Sequence, residues 1–151
     1  MVGVEPGHSR LPPEGAAVDG LAPFVHVADV ERSLAFYEQL GLVRGDTMDD
    51  EGRLFWGSMH SGQAHIMFAL AEPLVEADLQ GVLFYLYSDD IVALRAHLVG
   101  CGLRESTDRS GPVVPEPKGV VFPIAHPEYM PAGELRVHDP DGYCLLIGQR
   151  E

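Results

Sequence analysis

The feature that most constrains this chain is an ungapped internal repeat. Laid over each other at an offset of 61 positions, residues 28–42 and 89–103 align without an insertion; Asp29 meets Asp90, Ala35 meets Ala96, Gly41 meets Gly102 and Leu42 meets Leu103. The identities are few, but the signals around them come in the same order. Phe24-Val25-His26-Val27 and Val82-Leu83-Phe84-Tyr85-Leu86-Tyr87 are β-type runs, each followed by aspartate suited to cap a helix. Helical spacing follows in both copies: Val30, Leu34, Tyr37 and Leu40 in the first, Ile91, Leu94, Leu98 and Cys101 in the second. A glycine closes each helix, where the backbone turns left-handed. A repeat of this kind is one supersecondary unit used twice.

Further β-type segments complete each unit. They fall at 42–47, 53–59 and 64–70 after the first helix, and at 103–106, 120–125, 134–137 and 144–147 after the second. Asp139-Pro140-Asp141-Gly142 is a turn: aspartates bond nearby backbone, proline presets φ and glycine takes positive φ. Residues 72–80, with Pro73, and the Gly-Pro-Val-Val-Pro-Glu-Pro-Lys-Gly stretch at 111–119 are connectors. The expected class is α+β: duplicated βαβββ modules, about 21–72 and 80–149, forming a curved, cup-shaped mixed sheet with the helices outside. Residues 1–20, rich in Gly, Pro and Ala without periodicity, read as a flexible extension before a single domain at 21–151.

Charge limits the partners. With 23 acids against 10 bases the net is -13; the extension carries three acids and one base, so -11 of it belongs to the domain. A nucleic-acid groove needs a cationic footprint, and so does an anionic membrane surface. Neither is expected here. The N-terminal segment lacks the apolar core of a secretory signal, and no run approaches the ~20 apolar residues that span a bilayer. A cytoplasmic protein is expected, with Cys101 and Cys144 as two buried thiols; neither sits in a CxxC pair. No glycine-rich phosphate loop and no Ser/His/Asp or Cys/His nucleophile set is indicated, and Cys101 at a helix C-terminus lies where the dipole disfavours a thiolate.

Two stretches resemble signatures of the vicinal oxygen chelate superfamily, which includes glyoxalase I, extradiol dioxygenases, fosfomycin-resistance enzymes and bleomycin-resistance proteins. One is His26-Val27-Ala28-Asp29-Val30-Glu31-Arg32-Ser33-Leu34-Ala35-Phe36-Tyr37 with Leu40-Gly41-Leu42; the other is Gly133-Glu134-Leu135-Arg136-Val137-His138-Asp139-Pro140-Asp141-Gly142-Tyr143. The likeness spans about 21–149. Enzymes of that superfamily hold a divalent ion with His and Glu from strands of both halves. The resemblance carries those positions onto Ala22, Leu146, Gly81 or Leu83, and a place near Ile66, with His65 the neighbour if the register slips by one. Alanine, glycine and leucine side chains have no donor atoms, so the chain departs from the metalloenzyme pattern.

The same resemblance, with the period-two alternation of strands, implies a cup lining of Phe24, His26, Leu83, Tyr85, Arg136 and Leu146. Either Phe55 or Trp56 joins them, Trp56 being the ring taken as the ligand-binding candidate. Aromatic walls with a few polar handles suit a planar or mostly apolar small molecule, although aromatics are also what sheets prefer for packing. The implied function is a metal-independent binding protein without cofactor or catalytic residues. It would sequester a small molecule, such as a cationic, aromatic natural product, as a homodimer. The alternatives are a metal-dependent dioxygenase, lyase or glyoxalase-like enzyme with displaced ligands, and a metal-free enzyme with His26 as base beside Arg136.

Overall fold

The structure, a computed structural model, describes residues 10–71, 76, 79–106 and 118–151. Most of the two connectors and the first nine residues therefore lie outside it. In chain order the elements are β1 (Phe24–Val27), α1 (Val30–Gln39), β2 (Val43–Asp50), β3 (Arg53–Ser61), β4 (Ala64–Leu70), β5 (Phe84–Ser88), α2 (Ile91–Gly100), β6 (Arg104–Glu105), β7 (Val120–Val121), β8 (Glu134–His138) and β9 (Cys144–Gln149). Two mixed sheets result, ordered β1-β4-β3-β2 and β5-β9-β8-β7-β6. In each, the strand before the helix pairs in parallel with the module's last strand, and the rest is antiparallel apart from the short β6–β7 pair.

The repeat is visible in the helices. Each has ten residues, and α2 is α1 displaced by 61 positions. Asp29 accepts from the Arg32 amide and Asp90 from the Ala93 amide, both at 3.0 Å. Both caps satisfy an amide that has no partner inside its helix. Gly41 and Gly102 follow at φ 98° and 99°, where a Cβ would strain the backbone. The helices differ in depth: α1 buries Val30, Ser33, Leu34, Phe36 and Tyr37, but α2 buries only Ile91 and Leu98. Cys101 is the C-cap of α2 and is exposed, so only Cys144 is a buried thiol; both are free. The helical spacing of Cys101 overstated its burial because the helix ends there.

Burial alternates along β1, with Val25 and Val27 inside and Phe24 and His26 outside. Val27, Phe68 and Met59 join Leu34 and Tyr37 in the same apolar cluster as Ile91, Leu98, Leu135, Val137, Leu145 and Ile147. One core thus serves both modules. The expected strand at 120–125 is cut short after Val121, since Pro123 has no amide to offer the ladder. Pairing continues on either side of it, through the Phe122 amide on the Arg136 carbonyl and the Ala125–Glu134 bridge.

The DPDG turn fastens the modules together. Asp141 Oδ1 accepts the Ala28 amide at 3.0 Å and Arg32 Nη2 at 3.2 Å, and Ser33 Oγ donates to its other oxygen. Asp139 accepts the Tyr37 hydroxyl at 2.8 Å and the Asp141 and Tyr143 amides at 2.9 Å. Tyr143 returns across the junction to donate to the His26 carbonyl. Among the described residues, no helix is long and apolar enough to cross a membrane.

Candidate functional site

Each sheet turns one face to the core; the other is open only in part, and in the second sheet it also holds the buried His138, Cys144 and Glu134. Register assigns the open faces, because paired residues point the same way. In the first sheet Phe24 pairs with Met67, which pairs with Ser58; His26 pairs with Ala69, which pairs with Trp56. Phe24, His26, Trp56 and Met67 therefore share a face, opposite Val25, Val27, Met59 and Phe68. Trp56, not Phe55, lies on the His26 side. His65 joins this face two places before Met67 and directly opposite His60, with the rings 6.4 Å apart.

In the second sheet Tyr85, Leu146 and Arg136 form one cross-strand row, and Tyr87, Gly148 and Glu134 form the next. The opposite face carries Leu86, Ile147 and Leu135, and belongs to the core. Arg136 is well occupied: its Nε donates to His138 Nε2 at 3.1 Å, and its guanidinium lies 4.8 Å from the Phe122 ring centroid. Burial pushes the Cys144 thiol up, with Arg136 opposing. A thiol held protonated is a packing group, not a nucleophile.

The seven candidates from the sequence fall into two groups. Phe24, His26 and Trp56 lie on the first sheet, and Tyr85, Arg136 and Leu146 on the second, with Leu83 just before β5. A cleft of about 470 Å³ between the modules brings Leu83 and Tyr85 together with Leu21, Pro23 and His65. A second cleft of about 700 Å³ runs on past Tyr85 to Tyr87, Asp89 and Arg150. His26 and Arg136 line neither cleft. Glu134 and Tyr129 were not among the candidates, while period-two alternation placed Tyr87 on the face of Tyr85 without making it one of the seven. The shared face of Arg136 and Glu134 could have flagged the acid, but Tyr129 sits in a loop and had no periodic signal.

A family model described as the glyoxalase/bleomycin resistance protein/dioxygenase superfamily matches residues 20–146. The chain belongs to this superfamily. Among solved structures it is similar to a bleomycin resistance determinant encoded on transposon Tn5, with TM-score 0.65 and 22% identity over 89% of this chain and 99% of that one. A bleomycin-binding protein complexed with bleomycin gives 0.64 and 21%, over 89% and 100%. The bleomycin-binding protein of bleomycin-producing Streptomyces verticillus, complexed with copper(II)-bleomycin, gives 0.59 and 20%, over 89% and 100%. No curated protein matches the chain. At these identities the neighbours establish the α+β fold.

The metal cup of the superfamily's enzymes does not fit these residues. Of the positions onto which the resemblance carries the ion's ligands, Ala22, Gly81 or Leu83, and Leu146 have no donor atom, and the fourth falls near Ile66, beside His65. Among the described residues no three His, Cys, Asp or Glu side chains gather where they could hold a metal.

Proposed function

We propose that this superfamily member is a metal-independent binding protein that sequesters a small, aromatic natural product in the cytoplasm, acting as a homodimer. The observation that carries this reading is the open, aromatic face of each sheet. Phe24 is 54% exposed and Tyr87 57%, while on the reverse faces of these strands Val25 and Val27 are buried and Phe84 and Leu86 pack partly against the core. Exposed rings gathered on one face are a recognition surface more often than an accident of packing. A second copy of the chain laid against these faces would turn each open sheet into one wall of a ligand groove. Stoichiometric sequestration needs affinity alone, so donor-less metal positions cost it nothing. The net charge of -13 favours encounter with a cationic ligand.

Titration of the purified protein with bleomycin-type glycopeptides and other natural products tests the reading. Trp56, the single tryptophan, stands on the first open face and reports directly. Binding should change its fluorescence and raise the melting temperature with ligand concentration. No change in either across the series removes the proposal. Sedimentation of the free protein at monomer mass removes the dimer, and a stoichiometric divalent ion in protein purified without chelator removes the metal independence.

A further inference from the structure

Glu134 is the one buried carboxylate on the open face of the second sheet, with only 8% of its surface exposed. Both its oxygens are engaged: Oε2 accepts the Tyr85 hydroxyl at 2.8 Å and Oε1 accepts the Tyr129 hydroxyl at 2.9 Å. Phenols solvate a carboxylate but leave its charge in place. Buried charges ordinarily have a counter-charge, because removing an ion from water costs several kcal/mol that neutral donors recover only in part. Among the described residues, the cations of the ion pairs are Arg32, Arg44, Arg95 and Arg150, and none of them serves Glu134. Arg136, two positions along the same strand, is directed to His138 and Phe122 instead.

The surroundings are aromatic. Tyr87 shares the cross-strand row of Glu134, with Gly148 between them. The glycine lets the Met130 methyl and the Tyr85 ring lie over the sheet there: a Cβ would stand 2.8 Å from Met130 Cε, 3.0 Å from Tyr85 Cε1 and 3.1 Å from its hydroxyl oxygen. Tyr85 and Tyr87 have ring centroids 5.4 Å apart at 53°. Tyr129, 68% exposed, adds a third ring through its hydroxyl on Oε1 of Glu134. Three electron-rich rings near a carboxylate that has no ion-pair partner among the described residues attract a cation that sheds little hydration. Alkylated ammonium groups meet that description, whereas sodium and potassium do not.

We propose that Glu134, Tyr85, Tyr87 and Tyr129 form a subsite for an organic ammonium group, the charged end of the ligand. The subsite rests on the reading of the open sheet faces as ligand-binding, and adds the chemical class that one of them accepts. Choline and its neutral isostere 3,3-dimethylbutan-1-ol, in which carbon replaces the charged nitrogen, are the probes. Titrations followed by ligand-observed NMR should show saturable binding of choline, and binding of the alcohol at least about tenfold weaker. Glu134→Gln keeps an acceptor for a tyrosine hydroxyl but removes the charge, and should abolish the preference for choline. Tyr87→Leu removes an exposed ring without touching Glu134, and should weaken choline about tenfold in a protein that stays folded.

Equal binding of the two probes, no saturable choline binding, or a choline affinity unmoved by both substitutions would overturn the subsite. The two proposals fail separately. Natural-product binding at Trp56 without choline selectivity removes only the subsite. Choline selectivity without any natural-product ligand removes the sequestration reading and leaves the ammonium site.

Discussion

The Tyr37 hydroxyl donates to Asp139 Oδ2 at 2.8 Å, linking two buried residues 102 positions apart. One belongs to the helix of the first module, the other to the turn that closes the second. Beside them Asp141 holds the Ala28 amide and Arg32, so the modules are joined by polar contacts as well as by shared core.

Tyr37→Phe keeps the ring and its packing on Phe68, 4.7 Å away between centroids, and removes only the hydroxyl. The buried Asp139 then loses a donor, which costs roughly 1–3 kcal/mol. Urea denaturation should show a lowered midpoint with an unchanged slope. A midpoint identical to that of the wild type would mean that the junction does not depend on this bond.

Burial pushes the Asp139 carboxyl up to about 6 from 3.8, against hydrogen bonds from Tyr37 and the Tyr143 and Asp141 amides that pull it down. The Asp141 charge raises it further, and Arg32 faces Asp141 from α1. Between the unfolded and folded values, the folded chain holds this proton more tightly. The contribution of Asp139 to stability is therefore greatest below about pH 4, declines as pH rises to about 6, and is level above it. The full decline is roughly 3 kcal/mol. Asp139→Asn retains an acceptor for both amides and cannot titrate. Its stability relative to wild type should rise between pH 4 and 6, and a constant difference across that window would refute the assignment.

Gly57 on β3 sits against α1. A Cβ there would stand 3.1 and 3.2 Å from the two terminal carbons of Leu34, itself fully buried. Gly57→Ala should cost roughly 1–3 kcal/mol by overpacking. Pairing it with Leu34→Val, which retracts the opposing side chain, should recover part of the loss in thermal denaturation. Additive losses would place the strain elsewhere.

The caps should respond unequally. Asp29→Ala and Asp90→Ala each remove one hydrogen bond worth about 0.5–2 kcal/mol. With only Ile91 and Leu98 buried, α2 has less packing to hold its first turn than α1. Hydrogen exchange at the start of α2 should accelerate more in Asp90→Ala than exchange at the start of α1 does in Asp29→Ala. Equal acceleration would mean that packing does not hold the first turn of α1.

Much of the fold was legible because its signals are local. Asp29, Gly41 and their counterparts Asp90 and Gly102 specify helix ends by chemistry confined to a few residues, so the helix limits were readable to within one position. Strand ends were less so: β5 begins at Phe84 rather than Val82, and β7 ends at Val121 rather than Ala125, since strand limits depend on which partner carries the next amide. The exposure of Cys101 was missed for a similar reason, because helical periodicity says which residues share a face but not where the covering sheet stops.

The sequence by itself determined the α+β class, the duplicated module, the capped helices and the DPDG turn. Each depends on residue type at a known spacing. Tertiary structure decided what alternation could not. Register across three strands put Trp56, and not Phe55, on the face of His26, and put His65 with Met67. It also distributed the candidates over two open faces and set Tyr129 from a loop against Glu134. Such pairings join residues from separate parts of the chain, and their distances follow from how the sheets twist and pack, which no local pattern encodes.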